Sequence, residues 1–264
     1  MLLLWRIDVM TVLTDWITYG EEGQYSAFIA RADNGQAKLP AIVLIQEVWG
    51  VDAHIQDITK RIAAEGYAVI APELYSYQGF KPHYLHPDAL LAAKQFMDMN
   101  PKPEQKPELI AETLEAIFGK FSRDRFPDIV KQAAAYMKNQ YPYSTGEVAS
   151  VGFCLGGMLS ARLACDDSQL KGAIIYYGNA PEASLLTSIS CPVLGFYGEQ
   201  DAKITDLVPA FASQMKEAGK SYEYYIYPEA PHAFFNDTRP SYRAEPAQLS
   251  YDRMIQFFSE VFHS

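Results

Sequence analysis

The sequence predicts an α/β protein: a mostly parallel, twisted sheet with helices on both faces. Two observations carry this. Short apolar runs bounded by turn residues alternate with longer stretches of helical periodicity. Most of these runs are apolar throughout rather than at every second residue, as strands covered on both faces require. Residues 24–30 alternate and predict an early antiparallel edge strand. Residues 41–46 form the first buried strand. Asp52 opens a helix with Ile55, Ile58, Ile62 and Ala63 on one face, and Gly66 stops it. Residues 67–71 form the next strand, closed by Pro72. From Tyr75 to Pro127 the pattern loosens around Pro82, Pro87, Pro101, Pro103 and Pro107, with helices expected at 88–99 and 108–118. We read about 76–127 as a helical insertion in a single domain spanning 1–264, either walling a site or running over the surface as a solvated excursion. A helix at 128–138 leads to a strand at 147–153, and residues 158–164 form helix after it. Strands follow at 172–177, 193–197 and 222–227, with amphipathic helices at 207–218 and 245–262.

A chain of 264 residues suits one large α/β domain with a sizeable core. Its 49% hydrophobic and 20% charged residues are ordinary for a globular protein. The net charge of −10 argues against nucleic acid and against an anionic membrane surface. Three cysteines (154, 165, 191) make no disulfide framework, so a reducing, cytoplasmic setting is expected. Cys165 and Cys191 read as packing residues. The apolar start Met1–Trp5 is ended by Arg6 and Asp8, too short for a signal core, and Met10 is an alternative start. No run approaches the ~18 apolar residues of a membrane helix. His54, His83 and His86 match no zinc spacing and read as surface-loop histidines; neither metal nor cofactor is expected. The sequence is silent on whether the chain is a monomer or a dimer.

Chemistry concentrates at Val151-Gly152-Phe153-Cys154-Leu155-Gly156-Gly157. Gly152, Cys154 and Gly156 fit a strand–turn–helix elbow that lifts a nucleophile above a sheet, with Cys in place of Ser. The flanking glycines are needed where a β-carbon would collide with the turn. A thiol at a helix N-terminus is favoured as thiolate. The same stretch also fits a Gly-rich turn around a buried Cys. Asp201 follows the strand at 193–197 and His232 follows the strand at 222–227. Nucleophile, acid and histidine thus occur in the chain order of a hydrolytic triad, each just past a strand. Alone, Asp201 fits a turn residue or helix cap and His232 a loop histidine.

These motifs, with Gln46-Glu47-Val48-Trp49-Gly50, Ala71-Pro72-Glu73-Leu74-Tyr75 and His232-Ala233-Phe234, make the chain resemble the dienelactone hydrolase family from about residue 24 to 262. The resemblance implies an α/β-hydrolase fold and a hydrolase of carboxylic esters or lactones that works through a thioester acyl-enzyme without cofactor. It implies Cys154 as nucleophile, His232 as base and Asp201 as its orienting acid. Backbone N–H groups of Leu155 and Val48 would form the oxyanion hole, and Glu47 would sit beside the thiol and modulate it. A structural Glu47, bonded to loop amides, is the alternative.

The chain departs from the family where two arginines would clamp an anionic lactone. Tyr77 and Asn236 occupy those positions, with Arg239 and Arg123 as nearby cations. Phenol and amide do not replace a bidentate guanidinium. A neutral or larger ester or lactone is therefore expected. Trp49, Tyr75, Tyr77, Phe80, Tyr84, Phe234 and Phe235 are candidate pocket aromatics, along with Asn236, although large aromatics also serve as core. Two other classes stay open: a non-catalytic small-molecule binder on the same scaffold, and a thiol redox or transferase enzyme.

Overall fold

The computed structural model describes residues 11–35, 37–100, 102, 106–120 and 122–263. The expectations for Met1–Trp5 and Met10 lie outside them.

Among the described residues eight strands form one sheet: β1 (Val12–Tyr19), β2 (Tyr25–Ala32), β3 (Leu39–Ile45), β4 (Ala68–Pro72), β5 (Ser144–Phe153), β6 (Ala173–Tyr176), β7 (Val193–Gly198) and β8 (Tyr222–Tyr227). Their order is β1-β2-β4-β3-β5-β6-β7-β8, antiparallel at β1–β2 and β2–β4 and parallel from β4 to β8. The edge strand is β1, not the strand predicted near residue 24, which pairs on both sides as β2. β1 leaves no pattern in the sequence because the strand is largely solvated, with Leu13 and Trp16 exposed, and so carries no core-facing alternation.

The pleat sorts β3 between two apolar layers. Ala41, Val43 and Ile45 face one core and Ile42 and Leu44 the other. On the second side lie α1 (Ala53–Ala64) and α8 (Ala244–Phe262), contributing Ile55, Ile58, Ile62, Met254 and Phe258. As predicted, Asp52 starts α1, its carboxylate accepting the Ile55 N–H at 3.1 Å. On the first side lie α4 (Phe126–Asn139), α5 (Leu155–Asp166) and α7 (Val208–Glu217), with the four-residue α6 (Ala202–Thr205) before α7. Between β4 and α4 run α2 (Pro87–Asp98) and α3 (Glu108–Glu115), the latter continued by a π-helical turn, Ala116–Lys120. Leu85, Leu90, Phe96, Leu114 and Ile117 from this stretch are buried in the same core as Trp49 and Leu74. Each such apolar side chain stabilises the packing by roughly 1.5–3 kcal/mol.

The carboxyl ends of parallel strands lie along one edge of a sheet. The chain leaves β3 there toward Glu47, β5 toward Cys154, β6 toward Tyr177, β7 toward Asp201 and β8 toward His232.

Candidate active site

Cys154 sits between β5 and α5 with φ 56° and ψ −112°, a conformation that side chains rarely adopt. Such strain costs about 1–3 kcal/mol and persists only where the surroundings enforce it. Here they do. A β-carbon on Gly152 would lie 1.8 Å from the Gly156 carbonyl oxygen, and one on Gly156 would lie 2.2 Å from that of Ile45. The turn is thus pressed against the end of β3, and the Cys154 N–H donates to the Tyr176 carbonyl at 2.9 Å. The thiol is half-buried at the start of α5, where the first N–H groups of the helix favour negative charge.

Asp201 precedes α6, yet its side chain makes no capping bond. Its Oδ2 instead lies 2.5 Å from His232 Nδ1. The loops after β7 and β8 are held together to allow this. The Gln200 N–H donates to the Ala230 carbonyl at 2.9 Å, and a β-carbon on Gly198 would come within 2.3 Å of that same oxygen. Burial works against the charged imidazole, but the hydrogen bond to Asp201, the nearby Cys154 thiol and the charge of the carboxylate outweigh it, and His232 is pushed up to about 10. The ring therefore has Asp201 and Cys154 as neighbours.

Glu47 is buried, and each of its oxygens is engaged. Oε1 accepts from the Tyr177 hydroxyl at 3.2 Å and Oε2 from Asn236 Nδ2 at 2.8 Å. These partners are side chains, not the loop amides of the structural alternative. Burial pushes the Tyr177 hydroxyl well up, and the charges of Glu47 and Cys154 add to it, so carboxylate and thiol act on one phenol. The Tyr177 ring also packs edge-on against His232 at 5.0 Å. In the sequence Tyr177 reads only as the end of a strand. Its place at a strand's carboxyl end, before Gly178, was the available signal, and its φ of 39° is a second strained residue at the site.

The loop after β3 is tied to the segment after β4. The Tyr75 hydroxyl donates to the Val48 carbonyl at 2.7 Å and the Leu74 N–H to Gln46 Oε1 at 3.3 Å. Among the described residues no group takes up the N–H of Val48 or of Leu155. Burial pushes the Tyr75 hydroxyl up, opposed by Arg123 and reinforced by Glu73 and Cys154.

Other candidates are placed differently from expectation. Phe234 and Phe235 are core, packed on Tyr176 and Tyr177 or Phe153. Asn236 has no exposed surface and serves Glu47, so it lines no pocket. His54 is not a surface-loop residue: it lies buried in α1 with Nδ1 at 3.1 Å from Asp237, because the loop carrying Asn236 folds over that helix. Arg239 is held by Asp98 at 2.7 Å beneath Trp49, and Arg123 donates to the Ile117 carbonyl, so each guanidinium is already engaged by an acceptor of the protein. Tyr75 and Tyr77 line a cavity of about 360 Å³ with Phe80 and Phe126, and there Arg125 stands 4.7 Å from the centre of the Tyr77 ring. Trp49 lines another, of about 390 Å³, with Trp16, Leu90 and Leu91. The walls of neither include Cys154, Asp201 or His232. In the wall of the first, Tyr75 lies close enough to Cys154 to feel its charge. Among the described residues no group of three or more His, Cys, Asp or Glu could hold a metal ion, and no helix is long and apolar enough to cross a membrane.

Comparison with known proteins gives the family. A provisionally named carboxymethylenebutenolidase of Yersinia pestis is 32% identical over 245 residues, 89% of this chain and 83% of that protein. One of Saccharolobus solfataricus, also provisionally named, is 30% identical over 259 residues, 93% of this chain and 98% of that protein. The crystal structure of a provisionally named dienelactone hydrolase from Klebsiella pneumoniae superposes with a TM-score of 0.75 at 27% identity, covering 94% of this chain and 99% of that one. Fungal esterases from Rhizomucor miehei share the fold at a TM-score of 0.67 and 12% identity, covering 97% of this chain and 86% of theirs. The dienelactone hydrolase family model matches residues 26–262, and on that match this chain belongs to the dienelactone hydrolase family and is a carboxylic ester hydrolase.

Proposed function

We propose that the chain cleaves its ester or lactone through a Cys154–His232–Asp201 triad and a thioester acyl-enzyme. The observation that carries this is one imidazole bonded to Asp201 at 2.5 Å and close enough to Cys154 for the thiol to raise it. A ring this basic draws the thiol proton, and the sulfur attacks the carbonyl carbon. Negative charge then grows on the carbonyl oxygen, facing the N–H groups of Leu155 and Val48; one such donor is typically worth ~3 kcal/mol in the transition state. The C–O bond breaks as His232 hands its proton to the leaving oxygen. Once sulfur is acylated, the Cys154 contribution to His232 disappears, its proton affinity falls, and the ring accepts a proton from water as that water attacks the thioester. The acid leaves and the thiol is restored.

The redox alternative would want a resolving thiol nearby. Cys165 lies about 16 Å further along α5, and burial pushes the thiols of Cys165 and Cys191 up to about 11 and about 12. A binder would have no use for the triad geometry. The test is hydrolysis of p-nitrophenyl acetate with intact-mass detection of an acetyl group on the protein. Wild type should turn over and Cys154→Ala should lose at least about 10³-fold; wild-type turnover by Cys154→Ala ends the reading.

A neutral ester or lactone with an apolar body is the favoured substrate, since Tyr77 replaces one arginine of the family's clamp and Asn236, at the other position, is buried on Glu47. Arg125 beside Tyr77 supports a second reading, a substrate with one carboxylate. A matched pair of neutral and anionic esters decides: a preference for the anionic ester that disappears in Arg125→Gln favours the second.

A further inference from the structure

Asn236 donates to Glu47, but an amide can present its oxygen as easily as its nitrogen. An oxygen turned toward Glu47 would repel the carboxylate. The geometry points to a directional hydrogen-bond relay, Lys94 to Thr238 to Asn236, that holds the amide nitrogen on Glu47 and so positions that carboxylate. The inference rests on the reading that Glu47 acts at the thiol.

Each link is short and has only one workable direction. Lys94 is 5% exposed; its Nζ lies 2.7 Å from Asp52 Oδ2 and donates to Thr238 Oγ1 at 2.8 Å. An ammonium group has no lone pair, so the Thr238 hydroxyl must accept from it. The hydroxyl proton is then left to donate onward, and Asn236 Oδ1 receives it at 2.7 Å. The same oxygen accepts the Thr238 N–H at 3.1 Å. With Oδ1 filled by two donors, Nδ2 faces Glu47 Oε2 at 2.8 Å, and Asn236 is fully buried there. Without Lys94 the hydroxyl could rotate and accept instead of donate, and only the Thr238 N–H would still orient the amide.

Both ends of the relay are anchored. Asp52, which pairs Lys94, also caps α1, and Glu47 is held on its other oxygen by Tyr177. The positive charge therefore reaches Glu47 through two neutral side chains. Lys94 and Thr238 line the 390 Å³ cavity bounded by Trp49, whose wall includes neither Cys154 nor His232. Lys94, Thr238 and Asn236 are thus positioning residues acting through Glu47.

Thr238→Val keeps the shape and removes the hydroxyl; Thr238→Ser keeps the hydroxyl. Both are made in the wild-type and in the Glu47→Gln protein. In wild type, Thr238→Val should lower kcat about three- to tenfold with KM changed less than about twofold, and Thr238→Ser should restore kcat to within about twofold. In Glu47→Gln, Thr238→Val should cost nothing further. The rate of Cys154 alkylation by iodoacetamide, read by mass, should follow the same pattern; it needs no ester turnover, so it reports on the relay even if the hydrolytic reading fails. Thr238→Ala substitutes if the valine variant does not fold. Wild-type rates in both Thr238→Val and Thr238→Ala, or an equal loss with and without Glu47, overturn the relay.

Discussion

Replacing Gly156 by alanine adds one methyl group where there is no room for it. The new carbon would stand 2.2 Å from the Ile45 carbonyl oxygen and 2.6 Å from that of Gln46, both backbone atoms. Ordinary contact begins near 3.4 Å, so the elbow and the end of β3 must separate by about 1.2 Å. That separation moves Cys154 away from the loop holding Glu47 and Val48. A misplacement of ~1 Å costs roughly 10²-fold in rate, and forcing a methyl into a filled site costs about 1–3 kcal/mol. In a chain of this size that is a fall in melting temperature of roughly 2–12 °C. Helix propensity alone argues the opposite sign, since alanine exceeds glycine by ~1 kcal/mol in a helix. The assay is kcat/KM on p-nitrophenyl acetate beside a thermal melt. A variant that melts higher than wild type and keeps its rate would refute the close-approach argument.

Three further outcomes are expected. Tyr177→Phe leaves a buried Glu47 oxygen without its donor, so urea unfolding should show a loss of about 1–3 kcal/mol together with a lower kcat; a stability within error of wild type would remove that bond from the account. Asp201→Asn takes away the charge, and with it the charge-assisted hydrogen bond, that raise His232, so the alkaline limb of Cys154 alkylation, expected near the ring's value of about 10, should move to lower pH. Since the folded value lies above the unfolded one of ~6.5, the pair favours folding fully below that pH and loses its contribution as pH climbs through about 10. Melting of Asp201→Asn should accordingly differ from wild type more at pH 6 than at pH 10, and the reverse order would contradict the sign. Phe258→Ala empties a fully buried site between α8 and Tyr67 and should cost about 3–5 kcal/mol by urea unfolding, with kcat retained in the folded fraction.

Much of the molecule was legible in the chain. Strands buried on both faces must be apolar throughout, so β3, β4, β6 and β7 announce themselves, and a side chain that caps a helix, such as Asp52, is a local feature. The elbow was legible for the same reason: its glycines answer a collision within a few residues, although their partner at Ile45 lies far away in sequence. β1 was not, because a solvated strand has no reason to carry a core pattern.

The amino-acid sequence by itself determined the class of fold, the order of the reactive groups and the glycines that let a strained cysteine stand at the end of β5. Tertiary structure alone decided which groups meet: His232 on Asp201, Glu47 between Tyr177 and Asn236, and the retirement of Phe234 and Asn236 from a pocket into the interior. The reason is that periodicity reports only which face of an element is buried. Which side chain a buried amide or imidazole finds there depends on loops from distant strands converging at one edge of the sheet.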